Sequence, residues 1–426
     1  EFCEYIRIRN LLVSLFWGGG SESRRGRMRQ LILWDKKGEI LSVNADKKRS
    51  LTEGSVMKNI LVFSLPYLFS TFLQTLYGLA DLFIIGQFDG VAGTTAVSIG
   101  SQVMHMVTVM IVGLAMGATV RIGRAVGAKD GGMANEAVGN AATLFMGIAA
   151  AMTAILLLRV NGVVGLLSTP QEALAGTRLY LTICFAGIPC VTAYNVISSI
   201  FRGMGDSKSP MVFIAVACAA NIALDYLFIG ALHLGAAGAA LGTTLSQAIS
   251  VAAALTAVIR KKMIPGLKAA HLKPRRRTMA ALLKVGLPVA AQDGLIQVGF
   301  IVITVIANMR GLNDSAAVGI VEKIISILFL VPSTLLSTVS ALASQNIGAG
   351  RHDRAKQTLF DAVGMAVGYG LLIGIAMQVV AENAVALFAS EEAVIQLGGQ
   401  YLRGYVWDCL FAGVHFSFSG FFCAYG

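Results

Sequence analysis

From Lys58 to the last residue the chain is a succession of apolar runs, each closed by a short polar or basic stretch. Runs of about 20 residues are long enough to cross the hydrocarbon core of a bilayer as helix. Ten can be drawn, at roughly 59–84, 92–120, 134–158, 173–201, 210–231, 235–260, 280–309, 315–343, 356–381 and 394–426. They are continuously apolar, without the alternation of a barrel strand, and a helix satisfies its backbone groups within itself. The pattern predicts an all-α, polytopic membrane protein.

The pattern also repeats. At an offset of 221 residues Gly127-Ala128 recurs as Gly348-Ala349, Ala134 as Ala355, Tyr180-Leu181 as Tyr401-Leu402 and Phe201 as Phe422. Leu65-Pro66 against Leu287-Pro288 adds a match one residue out of step. Two copies of an even number of helices share one orientation and relate by an axis along the membrane normal, an arrangement common in transporters. The expected fold is a helical bundle of two six-helix lobes related by a pseudo-two-fold along that normal. The expected organisation is a tail at 1–50, an N-lobe of helices one to six at 51–262, a basic cytoplasmic linker at 263–279 and a C-lobe from 280 to 426.

Composition agrees with the solvent the pattern implies. The chain is 56% hydrophobic and 13% charged, with a mean hydropathy of +0.71, whereas a soluble domain is about 25% charged. The 47 glycines suit close helix packing, as in the Gly235–Gly242 run, which would weaken a helix in water. Cations settle the orientation. Arg121, Arg124 and Lys129, then Arg202 and Lys208, Arg260 to Arg277, and Arg351, Arg354 and Lys356 follow alternate spans. The other ends hold Arg159, Arg178 and Arg310 beside Asp89, Asp314, Glu382, Glu391 and Glu392. Lysine and arginine favour the cytoplasmic side, so the N-terminus is expected inside. The same rule accounts for the net charge of +11, and no nucleic-acid partner follows from it.

Catalytic chemistry finds no support. Cys184, Cys190, Cys218, Cys409 and Cys423 fall in predicted spans and Cys3 in the tail, without metal-ligand spacing. No nucleophile elbow, phosphate loop or dinucleotide fingerprint stands in a suitable context. The expectation is a non-enzyme with no cofactor and no bound metal. Both ends invite a reading. The apolar run Leu11–Trp17 is too short to span and mostly precedes its basic residues, unlike a signal peptide, so the first 50 residues read as upstream sequence with Met28 or Met57 nearer the start. Gly426 aligns with Gly205 at the end of helix four, which predicts ten of twelve helices here and two more, on the order of 60–75 residues.

Polar residues inside the spans carry the functional argument. Asp81 lies fifteen residues after Pro66 in the first span, and Asn221 and Asp225 are four apart on one face of the fifth. A carboxylate at mid-bilayer costs about 2.5–3.5 kcal/mol even on the lenient scale, so it marks a functional site by default. Desolvation and a neighbouring like charge both favour the protonated acid, so a close pair of carboxylates suits proton coupling. Simpler roles stay open: Asp81 at the headgroup level, Pro66 as a passive kink.

Leu51-Thr52-Glu53-Gly54-Ser55 with Phe63-Ser64-Leu65-Pro66, Ala80-Asp81 and Ile85-Gly86 resembles the first helix of multidrug and toxic compound extrusion (MATE) transporters. Phe201-Arg202-Gly203-Met204-Gly205-Asp206 after helix four and Gly286-Leu287-Pro288 in helix seven are similar to the same family. The resemblance covers Leu51 to Gly426. Its proton-linked, DinF-like branch implies that Pro66 is a hinge and that Asp81, Asn221, Asp225 and Thr243 bind the coupling cation, with Tyr180 and Asn195 near that network. Sodium-coupled relatives place carboxylates in helices seven and ten, where Asp293 and Asp408 stand about one turn from register and suggest a C-lobe cavity role instead. Glu322 and Lys323 match nothing in the family pattern.

The function these readings imply is an antiporter that exports amphipathic, often cationic organic compounds in exchange for H+ or Na+, the oxygens of Asp81 and Asp225 suiting either ion. The expected setting is multi-pass insertion in the plasma or inner membrane, as a monomer among lipids. Two alternatives remain: a lipid-linked oligosaccharide flippase of the same superfamily, which calls for several cations facing the cavity, and an uncoupled channel or sensor.

Overall fold

Each of the ten apolar runs is a helix in the computed structural model, which describes residues 51–426 apart from 168 and 261–265. The helices are α1 Val56–Phe88, α2 Gly90–Gly127, α3 Gly131–Leu166, α4 Gln171–Gly203, α5 Lys208–Ala231, α6 Gly235–Arg260, α7 Arg276–Arg310, α8 Leu312–Gly348, α9 His352–Ala386 and α10 Glu392–Tyr425. The expectations for the tail, Leu11–Trp17 and Cys3 among them, lie outside the described residues, as do those for 261–265. The described cysteines are all free.

The helices run past the apolar windows at their basic ends. Arg121 and Arg124, expected in a loop, occupy the last turns of α2, and Arg202 is a buried residue of α4. Long cationic side chains let a helix continue toward the headgroups while the charge reaches polar surroundings. Within the expected linker 263–279 the chain makes a 3-10 turn at Ala269–Leu272, and α7 begins at Arg276. Three spans are interrupted where apolar composition gave no warning. α8 breaks at Phe329, α10 breaks at Val406-Trp407, and α5 widens into a π-helical turn, Tyr226–Ala231, directly after Asp225.

The 221-residue repeat is visible bond by bond. In the first copy Thr119 Oγ1 donates to the Ser199 carbonyl at 3.2 Å, and at +221 Ser340 Oγ donates to the Gly420 carbonyl at 3.0 Å. The turn after α2 closes with Asp130 N–H on the Ala125 carbonyl at 2.9 Å; the turn after α8 closes with Arg351 N–H on the Asn346 carbonyl at 2.8 Å. Both turns need a left-handed residue, supplied by Gly350 (φ 72°) in one and by Lys129 (φ 57°) in the other. Only the glycine takes that conformation without steric cost.

The repeats meet head on across a seam. Arg124 Nε donates to the Ala424 carbonyl at 2.7 Å, and its equivalent Gln345 donates to the Gly203 carbonyl, the equivalent of Ala424, at 2.8 Å. Gly127 packs on the backbone of Gln345 and Gly348 on that of Arg124, while Gly123 meets Ser344, its own counterpart. Reciprocal contacts of this kind are what a two-fold interface requires. Further along, Gly117 lies on the Leu282 carbonyl and Gly286 on the Leu114 carbonyl, so glycines bring α2 and α7 into backbone contact.

The basic end is fastened on both sides of this axis. Arg351 and Arg354 donate to the carbonyls of Thr52 and Gly54 at 2.5 and 3.0 Å, docking the segment before α1 onto α9. In the mirror position Asn140 and Thr143 hold the His271 and Leu272 carbonyls at 3.2 and 2.8 Å, and Glu136 binds Arg275 and Thr278, docking the segment before α7 onto α3. The buried clusters follow the same division. Leu51, Ile60 and Phe63 pack with Leu335, Val339 and Leu342, and Met116 with Val289, Leu336 and Phe416, joining α1–α6 to α7–α10. In the other half Ile84, Val97, Leu181, Phe185 and Ile229 form a core within α1–α6, and Val321, Ile325, Ala381, Val385 and Leu402 one within α7–α10. Among the described residues, the cores shared by the two bundles run from the basic end to about the middle of the helices.

Candidate functional site

Asp81 sits near the far end of α1, turned into the bundle of α1–α6 and 3% exposed. Its Oδ2 accepts a hydrogen bond from Thr243 Oγ1 of α6 at 2.9 Å, and its Oδ1 is buried without a partner. Asn221 and Asp225 on α5 are fully buried and face the same carboxylate, within electrostatic reach of it. Neither Asn221 side-chain atom and neither Asp225 oxygen has a hydrogen-bond partner within the protein. Five partnerless buried polar atoms, at about 1–3 kcal/mol each, make the cluster expensive as a purely structural feature. Two dry carboxylates, an amide oxygen and a hydroxyl are hard oxygen donors, a set that suits a shared proton or a sodium ion.

Local backbone explains how these groups converge. Gly242 precedes Thr243 on α6, and a side chain at that position would collide with Asp225 Oδ1. Its lack of a Cβ lets the Asp225 carboxylate lie against α6. The π-helical turn begins at the next residue, Tyr226, and such widened turns are frequent at functional sites. Neither Gly242 nor this turn was singled out from the sequence, although the glycine's place beside Thr243 was a signal.

The other expected residues divide. Tyr180 is buried with its ring against Gly100 and lies within electrostatic reach of Asp81. Asn195 is buried too, but its amide donates to its own helix at the Val191 carbonyl, 2.9 Å away. Fifteen residues separate the two along α4, about 22 Å of helix, and Tyr194 beside Asn195 lies within electrostatic reach of Tyr77, which in turn lies within reach of Asp81. Tyr77 of α1 and Gln247 of α6 were passed over by sequence reading: Tyr77 lies within electrostatic reach of Asp81, and Gln247 within hydrogen-bond reach of Tyr77. They stand four residues from Asp81 and Thr243, a spacing that places each on its neighbour's face.

Pro66 lies inside an unbroken α1. It removes one backbone donor and leaves the carbonyl four residues earlier without its helical partner. Hydroxyls then fold back on the helix, Ser70 to the Pro66 carbonyl at 2.8 Å, Thr71 to Tyr67 at 3.1 Å and Thr75 to Thr71 at 3.2 Å, a pattern that tends to bend helices. The Arg202 guanidinium lies 5.1 Å from the centre of the Tyr67 ring.

In the second bundle Asp293 and Asp408 stay apart. Asp293, half-buried on α7, faces Gly113 of α2, whereas Asp408 is exposed at the break in α10. Glu322 on α8 accepts from Thr304 at 3.2 Å. Lys323 lies within electrostatic reach of His105 on α2, both exposed. No group of three or more His, Cys, Asp or Glu able to hold a metal occurs among the described residues.

Duplicated bundles of membrane-length helices joined across a two-fold seam, with buried carboxylates inside one of them, point to a membrane transporter. Its family follows from comparison with known proteins. The MatE family matches residues 66–227 and 288–426, and the chain belongs to that family. It is 31% identical to a probable multidrug resistance protein, YpnP, of Bacillus subtilis (strain 168), across 89% of this chain and 85% of that protein. The fold resembles a MATE transporter solved in a bent conformation, with a TM-score of 0.83, 21% identity and coverage of 89% and 84% of the two chains. It also resembles an outward-facing multidrug resistance MATE transporter of the MOP superfamily, with a TM-score of 0.81, 21% identity and coverage of 88% and 84%. The protein is thus a multi-pass transporter and not an enzyme.

Proposed function

We propose that this transporter is a multidrug efflux antiporter that exports amphipathic, often cationic organic compounds in exchange for H+ or Na+. The observation that carries the reading is the Asp81, Asn221, Asp225 and Thr243 cluster, in which Asp81 Oδ1, the Asn221 amide and both Asp225 oxygens lack partners inside the protein while Thr243 holds Asp81 Oδ2. The relatives' description as multidrug resistance proteins supports the substrate class.

In this mechanism the basic end is cytoplasmic, in the plasma or inner membrane, and the fastened seam there corresponds to an outward-facing state. A proton or Na+ enters from outside and binds between Asp81 and Asp225, relieving the cost of two dry carboxylates at close range. The gain is delivered to α1, which carries Asp81 and, fifteen residues away, the weakened stretch at Pro66. Bending of α1 there reshapes the space between the bundles and releases the compound. Return requires the seam of α2, α7 and α8 to open so that the cation leaves to the cytoplasm.

The test is transport of a fluorescent organic cation by proteoliposomes, with pH and Na+ gradients imposed separately. A gradient-driven flux that Asp225→Asn and Asp81→Asn abolish is expected, and the gradient that drives it identifies the ion. Full transport by both variants would falsify the coupling role.

A further inference from the structure

Between the carboxylate cluster and the basic end, the first bundle holds a second set of polar groups. Tyr67, Gln74, Tyr77 and Asp81 follow one another along α1 at intervals of seven, three and four residues, which is one face of the helix. Fourteen residues separate Asp81 from Tyr67, about 21 Å of helix. Across from them α4 carries Tyr194, Ser198 and Arg202 at intervals of four, all buried, and α6 brings buried Gln247. The two stripes meet. Tyr77 lies within electrostatic reach of Asp81 and Tyr194, with Gln247 beside it, and Tyr194 lies near Gln74, Ser198, Tyr67 and Arg202. Arg202 rests over the Tyr67 ring and donates to Ser199 Oγ at 2.7 Å. Ile197, Phe201, Phe213 and Ile214 pack with Tyr194 and wrap this column in hydrocarbon.

Attachment of helix to helix does not account for the column. Polar side chains serve that purpose by closing bonds between helices, whereas Gln247 Oε1, Ser198 Oγ and Arg202 Nε are buried and close none. The Arg202 charge has no carboxylate partner: the ion pairs among the described residues are Arg275 with Glu136, Arg310 with Asp314 and Arg403 with Glu382. Buried groups of this kind are normally met by bound water. The repeat supplies an internal control. In the register of the two prolines Tyr67, Gln74 and Tyr77 correspond to Val289, Ile296 and Gly299 of α7, so the stripe belongs to the copy that holds Asp81. At the lower end the residue after Arg202, Gly203, offers its carbonyl to Gln345 of α8 at 2.8 Å. The column therefore ends at the seam between the bundles.

We propose that this column carries a proton from the Asp81 and Asp225 cluster to the basic end, with Tyr77 and Tyr194 as relays and Gln74, Gln247 and Ser198 holding the water between them. The inference rests on the antiport reading above and narrows its ion to H+. An Asp carboxyl gives its proton, through water, to the Tyr77 oxygen while the Tyr77 hydroxyl passes its own proton on. The same exchange at Tyr194 delivers one proton to water beside Arg202, leaving both hydroxyls as they were and the carboxylate charged. The fixed charge of Arg202 opposes a cation resting at that mouth. Opening of the seam at Gly203 brings in water that screens it, so discharge is tied to the opening of the basic end.

The test applies two assays to proteoliposomes: uptake of a fluorescent organic cation driven by a pH or a Na+ gradient, and exchange of that compound across the membrane without a gradient. Exchange needs no proton to reach the basic end. Gln74→Leu keeps the size of a half-buried side chain and removes its polarity. Tyr194→Phe removes a hydroxyl whose bond to the Pro210 carbonyl is long, at 3.4 Å, and serves as the second variant. Uptake driven by the pH gradient is expected to fall about tenfold or more in each, with exchange within about twofold of wild type. Wild-type uptake in both variants overturns the proposal, and so does an equal loss of uptake and exchange, the mark of a structural role. Uptake driven by Na+ alone overturns it while the antiport reading stands; a wild-type protein that answers neither gradient removes both.

Discussion

Gly242→Ala adds one methyl group at the point where α6 touches the Asp225 carboxylate. That methyl would overlap Asp225 Oδ1, with Cγ at 3.2 Å and the backbone nitrogen farther off at 3.6 Å. The carboxylate tip must therefore yield, and no hydrogen bond holds it in place. Turning it off its rotamer by some 30° costs about 0.5–1.5 kcal/mol, at the low end of overpacking penalties. Stability should fall by about 1 kcal/mol, whereas a displacement near 1 Å at the reacting groups can cost about 100-fold in function. Thermal unfolding and gradient-driven uptake, measured on the same preparation, separate the two effects. Gly147→Ala in α3 is the reference, because a Cβ there meets nothing within 4 Å and alanine in a helix is favoured over glycine by up to about 1 kcal/mol. Wild-type uptake by Gly242→Ala at every gradient would refute the idea that the Asp225 position matters.

Thr243→Ala removes the hydroxyl that binds Asp81, a bond to a carboxylate worth about 1.5–3 kcal/mol; the ion concentration for half-maximal transport should shift tenfold or more, and Thr243→Ser should restore it. Tyr67→Leu withdraws the ring beneath buried Arg202 and should destabilise by about 1–2 kcal/mol in thermal unfolding, with Tyr67→Phe close to wild type. Thr119→Ala and Ser340→Ala each delete one bond of a symmetry-related pair, about 1 kcal/mol apiece. Their unfolding midpoints should fall by similar amounts, and a large imbalance would mean that the two copies do not bear equal load.

The number of helices, their places and the repeat were legible because bilayer solvent imposes one rule on every span: about 20 apolar residues with internal hydrogen bonds. The same rule hides irregularity. Phe329, Val406-Trp407 and Tyr226–Ala231 are as apolar as their surroundings, so breaks and widened turns at these places leave no trace in composition. Asp81 and Asp225 stood out because a carboxylate is rare in such a setting. Tyr77 and Gln247 did not, since neither carries a charge, and only their spacing from Asp81 and Thr243 pointed inward. Arg121, Arg124 and Arg202 were assigned to loops because charge density alone cannot distinguish a loop from the last turns of a helix that reaches the headgroups.

The two copies divide the molecule into shared and unshared positions, and the division is informative. Shared positions build the hinge: Thr119 with Ser340, Gly127 with Gly348, Arg124 with Gln345 and Lys129 with Gly350 repeat the same contacts on either side of the axis. A two-fold seam of this kind can be broken and remade with little change inside each bundle. Unshared positions carry the chemistry. The counterpart of Asp81 is Val302 or Ile303, depending on register, so this carboxylate has no equivalent in the second copy. The same holds for the cations Arg121 and Lys284, whose counterparts are apolar. A duplicated scaffold needs its halves alike to rock, but it needs them unlike to couple that motion to an ion, since two equivalent ion sites would favour neither direction of tilt. Asymmetry at Asp81 is therefore where a coupling ion, on the proposed mechanism, would bias a symmetric device.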